Sequence, residues 1–99
     1  MERIDHIAII APNVRQTANW YADNFDCKIK YKDKTYAVLE FDNIELAIVS
    51  PAEHPPHIAI VDENLDENQI GIMKHKDDSV GIYEHDGAGN FVEKIKYKK

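Results

Sequence analysis

The chain has one cysteine among 99 residues, Cys27, so no intrachain disulfide can staple it. Such usage suits a reducing compartment, and a cytoplasmic location is expected. No apolar run approaches the roughly 20 residues that a membrane-spanning helix needs, so no membrane role is expected. Glu2, Arg3 and Asp5 put charge where a signal peptide would carry its apolar core. Basic charge is also scarce: 12 Lys and Arg stand against 18 Asp and Glu, a formal charge of -6. Nucleic-acid binders carry a basic footprint, so no nucleic-acid partner is expected. The one basic cluster, Lys94, Lys96, Lys98 and Lys99, reads as a solvated strand end. Proline is sparse too, and three of the four prolines, Pro51, Pro55 and Pro56, fall together. Proline cannot join a central ladder, so residues 51–56 read as a connector.

What the sequence does have is a repeat. His-Ile-Ala-Ile occurs at positions 6–9 and again at 57–60, each followed by a β-branched residue, Ile10 and Val61. Long-period self-similarity marks a duplicated unit. In a strand, His6 shares its face with Ile4, Ala8 and Ile10, while Ile7 and Ile9 point the other way.

Between the copies the pattern alternates between helix and strand periods. Asn13 is a good N-cap, with Gln16 placed to complete a capping box. Val14, Ala18, Tyr21 and Phe25 form a helical apolar stripe expected to pack on a sheet. Residues 28–32, 35–41 and 44–49 read as strands, separated by the turns Asp33-Lys34 and Asp42-Asn43. After the second copy, residues 62–79 are polar and acidic. A short helix or single turn is expected near 65–70, then a short strand near 72–75 and a turn at Lys76-Asp77-Asp78. Residues 80–85 and 91–97 read as the closing hairpin, joined through Asp86-Gly87-Ala88-Gly89-Asn90.

The halves match at both ends. Ile44-Glu45-Leu46 follows one turn and Val92-Glu93-Lys94 follows another, so each half offers a histidine on its first strand and a glutamate on its last. An imidazole on an apolar strand face must find a partner. Equivalent histidines at His6 and His57, with Glu93, therefore point to a shared polar or metal site. Two histidines and a carboxylate are also a ligand set that leaves open positions on a first-row metal. His54, His75 and His85 read as surface residues, and Tyr36 and Tyr83 as packing residues.

These features resemble the vicinal oxygen chelate superfamily, which includes glyoxalases, bleomycin-resistance proteins and extradiol dioxygenases. Asp5-His6-Ile7-Ala8-Ile9 resembles its opening strand, Pro56-His57-Ile58-Ala59-Ile60 the strand opening its second module, and 86–93 its "DPDGxxxE" ending. Trp20-Tyr21 and Phe25-Asp26-Cys27 stand where the family has "FY" and "LGF". The resemblance implies an α+β fold of paired βαβββ modules forming a half-open barrel. Module one is 1–50, the linker 51–56, and a shortened module two 57–99. It implies a divalent metal (Fe, Mn, Zn or Ni) on His6, His57 and Glu93, a small oxygen-bearing substrate, and a homodimer. The chemistry would be that of a metal-dependent lyase, isomerase, transferase or dioxygenase. A non-catalytic small-molecule binding module on the same fold is the alternative. In a fourth ligand slot, aligning the halves by their turns places Glu45, and counting back from Pro51 places Ala47. For a proton-transfer reaction Glu45 is the candidate base. The Pro and second Asp of "DPDG" are Gly87 and Ala88 here, and the barrel wall beside the short module is expected to be thin or completed by a partner.

Overall fold

A helix caps one flank of a curled sheet in this computed structural model, which describes residues 1–98. Lys99, the end of the basic tail, lies outside the described residues. The order is β1 (Ile4–Ile10), α1 (Val14–Asn24), β2 (Lys28–Lys32), β3 (Tyr36–Glu40) and β4 (Glu45–Val49). Then follow β5 (His57–Val61), β6 (Met73–Lys74), β7 (Val80–His85) and β8 (Phe91–Lys96). All eight strands form one sheet, ordered β2-β3-β4-β1-β5-β8-β7-β6. The expected half-barrel of two βαβββ-like modules is therefore the observed architecture, with the second module lacking its helix.

The order has an internal twofold. β1 runs parallel to β4, β5 runs parallel to β8, and β1 and β5 meet antiparallel at the centre. The sheet curls until its flanks approach. Lys76, beyond β6, lies 3.5 Å from Asp33 in the β2–β3 turn and 5.1 Å from the Tyr36 ring centroid.

α1 starts where Asn13 accepts a hydrogen bond from the Gln16 backbone N–H at 3.0 Å. It covers the convex face of the first half, with Val14 and Ala18 buried against Ala37, Leu39 and Ile48. Leu39 and Ile48 are fully buried, each contributing about 1.5–3 kcal/mol of transfer free energy. The stripe ends early. Phe25 is the C-cap in extended conformation and is half exposed, with its ring edge-on to Trp20 rather than on the sheet.

Among the described residues the second half has no equivalent helix. Residues 62–72 run as turns, correcting the helical option near 65–70. The cause is local: Asp62 and Asp66 accept hydrogen bonds from the backbone N–H groups of Asn64 and Asn68, which competes with helix formation. Leu65 from this loop is buried, and Gly71 lies against Ile82. No helix among the described residues is long and apolar enough to cross a membrane.

Candidate metal centre

The site grows out of how the repeat pairs with itself. Across β1 and β5, His6 is opposite Ala59 and Ala8 is opposite His57. Each histidine thus faces the alanine of the other copy, and the two imidazoles are diagonal neighbours on the concave face. Along the parallel pair β5–β8, Ala59 is beside Glu93, and on β7 Tyr83 is opposite Glu93. One row across the sheet therefore reads Glu45, His6, Ala59, Glu93, Tyr83. Ala59 supplies the gap over which its larger neighbours converge.

The convergence is close. His6 Nε2 and His57 Nε2 are 3.4 Å apart. Glu93 Oε1 is 3.3 Å from His57 Nε2 and 3.7 Å from His6 Nε2. Among the described residues this is a group with ligand atoms all within 4.8 Å of one another, and it comes from a single chain. His57 and Glu93 are almost completely buried, and His6 is partly so.

The outer atoms of the three side chains are each held. His6 Nδ1 lies 2.7 Å from Asp5 Oδ2, which also accepts a hydrogen bond from the Tyr97 hydroxyl. His57 Nδ1 lies 2.8 Å from the Pro55 carbonyl. A carboxylate and a carbonyl can only accept, so in each neutral ring the proton belongs on Nδ1. Both Nε2 lone pairs then point at each other and at a carboxylate oxygen. Three acceptors facing one point with no donor between them repel unless a proton or a cation intervenes. The donor set thus fits a divalent ion, with its imidazoles fixed by partners as metal-binding histidines are.

The third outer atom is held by a residue that reads as surface in the sequence. His75 Nε2 lies 2.7 Å from Glu93 Oε2. His75 follows a two-residue strand, too short to carry a periodicity. Where a proton on His57 Nε2 fills the point between the three groups, hydrogen bonds with His57 and His75 outweigh the burial that opposes the charge on Glu93 and lower its pKa to about 2. The same hydrogen bond raises the pKa of His75. At Asp5, burial raises the pKa, but hydrogen bonds with His6 and Tyr97 leave it below its ordinary value.

The centre lies in a cavity of about 440 Å³ on the concave face. His54 is also drawn inward, with Nδ1 at 3.0 Å from the Tyr83 hydroxyl, and burial lowers its pKa. Tyr83 and Tyr36 line the cavity, and Tyr36 stacks on Tyr31 with ring centroids 4.7 Å apart. His85 stays at the surface, against the Phe91 ring. Glu45 and Ala47 both line the cavity, but neither joins the three converging groups. Instead Glu45 Oε2 accepts from Lys30 Nζ at 2.5 Å.

No protein-family model and no curated protein matches this sequence. Solved structures do match its fold. Methylmalonyl-CoA epimerase from Streptomyces coelicolor, in complex with 2-nitronate-propionyl-CoA, is 18% identical with a TM-score of 0.78. The match covers 98% of each chain. Methylmalonyl-CoA epimerase from Mycobacterium tuberculosis is 14% identical with a TM-score of 0.79, covering 97% of this chain and 88% of that one. A hypothetical protein from Bacillus halodurans is 16% identical with a TM-score of 0.81, covering 99% and 96%. These likenesses show the fold: the curled eight-stranded half-barrel of this chain is shared with the methylmalonyl-CoA epimerases.

Proposed function

We propose that the protein is a metal-dependent enzyme of the vicinal oxygen chelate type, acting on a small oxygen-bearing substrate in its concave cavity. The observation that carries this reading is the convergence of three lone-pair donors, His6 Nε2, His57 Nε2 and Glu93 Oε1, with no protein donor among them. These three residues would hold a divalent ion (Fe, Mn, Zn or Ni). When bound, the ion would supply Lewis-acid stabilisation of a substrate oxygen.

The chain's own residues carry the rest. Tyr36, Val38 and Ala47 wall the cavity and exclude water from one side. Glu45 is the residue suited to move a proton, because it sits beside His6 across β1 and β4 and faces the cavity. Lys30 holds its carboxylate at the cavity edge until substrate displaces the ammonium. The epimerase bound to 2-nitronate-propionyl-CoA shares this fold, which lends support to proton-transfer chemistry without naming this chain's substrate.

Metal analysis of the purified protein tests the reading. About one divalent ion per chain is expected, and it should be lost in H6A. A protein that takes up no divalent ion, and in which H6A leaves small-molecule binding untouched, overturns it. One observation favours the alternative of a non-catalytic binding module: the Lys30 pairing occupies the carboxylate that would act as base. Turnover that stops on chelation and returns with metal excludes that alternative.

A further inference from the structure

The segment that replaces the second module's helix reaches into the site. β6 is only Met73–Lys74, and it pairs with β7 through Met73 opposite Gly81. The chain then turns tightly. The His75 backbone N–H donates to the Ser79 carbonyl at 2.9 Å, and the Asp78 N–H donates to the His75 carbonyl at 3.0 Å. Asp77 Oδ1 fixes the turn by accepting from both the backbone N–H and the hydroxyl of Ser79. His75 is thereby held at the start of a rigid hairpin, with its Nε2 on Glu93 Oε2 at 2.7 Å.

Gly81 makes that contact possible. Its backbone is not in the left-handed region, so no turn requires glycine there. Space does. A Cβ at Gly81 would collide with Glu93 Oε2 and stand 3.0 Å from His75 Nε2. The glycine leaves a slot in which the imidazole that follows β6 and a carboxylate from β8 meet over β7.

We propose that His75, admitted by Gly81, is a positioning residue that fixes Glu93 as a one-oxygen ligand. This rests on the metal reading of His6, His57 and Glu93. With Oε2 tied to His75, only Oε1 faces the two imidazoles. The carboxylate cannot swing to offer both oxygens, so a further coordination position stays free for substrate. The shortened module thus supplies by a hairpin what fixes the third ligand, as Asp5 fixes His6 and the Pro55 carbonyl fixes His57.

Titration of metal-free protein with Co(II), followed by its visible absorption bands, tests this. The bands report ligand number and geometry independently of any turnover. H75Q keeps a donor at this point and should bind Co(II) as the wild type does. H75L should weaken binding by about 10–100-fold, the usual cost of losing a ligand's outer partner, and should change the band pattern. G81A, which leaves the His75 side chain in place but fills the slot, should do the same, and it carries the test if H75L does not fold. Circular dichroism establishes folding in each case. Wild-type affinity and spectrum in H75L or in G81A would overturn the positioning role alone. A folded wild type that binds no Co(II) would overturn the metal centre and the positioning role together.

Discussion

Glu93 is a nearly fully buried carboxylate whose charge depends on the imidazoles around it. That dependence sets how metal-free stability should vary with pH. Glu93 has its folded pKa depressed to about 2 from 4.5, so its contribution is present above pH 4.5 and is lost as pH falls toward 2. His75 has its folded pKa raised above 6.5, so its contribution is full below pH 6.5 and is lost as pH rises through the folded value. The contribution of the Glu93–His75 pair should therefore be fullest between about pH 4.5 and 6.5, opposed on the acid side of 6.5 by His54, whose pKa burial lowers, and H75Q should flatten the decline on the alkaline side. Thermal melts across pH in the presence of a chelator measure this; an H75Q profile superimposable on the wild type would refute it. Asp5 makes a second case. D5N replaces a charged acceptor on His6 Nδ1 by a neutral one and should weaken divalent-metal affinity by about 10-fold, read by calorimetric titration.

α1 and the 62–72 loop are two solutions to one problem, covering the convex face of a curved sheet. α1 does it with a capped helix and a buried stripe. The loop does it with one side chain, Leu65, which is 4% exposed, while Ile70 nearby is 98% exposed. L65A should thus cost about 2 kcal/mol in urea unfolding, and I70S less than about 0.5 kcal/mol. Equal costs would show that the loop does not serve as a cover. The same contrast explains what could be read from the sequence. The strands and helix of the first half carry full periods of 2 and 3.6 and a capping signal, so they are legible. The convergence of His6, His57 and Glu93 is legible in part: duplication marks the two histidines as equivalent positions on strands that pair with one another, whereas the same duplication pairs Glu93 with Glu45, which stays apart. β6 is two residues long and gives no period, so nothing in the expected short strand over 72–75 tells whether His75 faces solvent or the site. Gly81 carries no signal in the sequence, because nothing local reveals side chains arriving from neighbouring segments. Phe25 continued the helical spacing of Val14, Ala18 and Tyr21 but lies past the turn at which the helix stops.

At the scale of the whole molecule, α1 and the 62–72 loop leave a strip of the convex side uncovered between them. Ile7 and Ile58 are cross-strand partners on that side, at the internal twofold between the modules, and are 38% and 40% exposed. A bare apolar strip that straddles a twofold is close to self-complementary, which suits an isologous contact with a second copy. A small core also gains most from such a contact. The protein is therefore expected to sediment as a homodimer, and I58E, which sets two carboxylates against the strip, should shift it to monomer. The His6, His57 and Glu93 group is assembled within one chain and on the opposite face of the sheet. The I58E monomer should consequently bind Co(II) with wild-type affinity and spectrum. Sedimentation velocity and Co(II) titration on the same sample separate the two statements. A monomeric wild type would remove the interface, whereas an I58E monomer that has lost metal binding would show that the partner supports the site from behind the sheet.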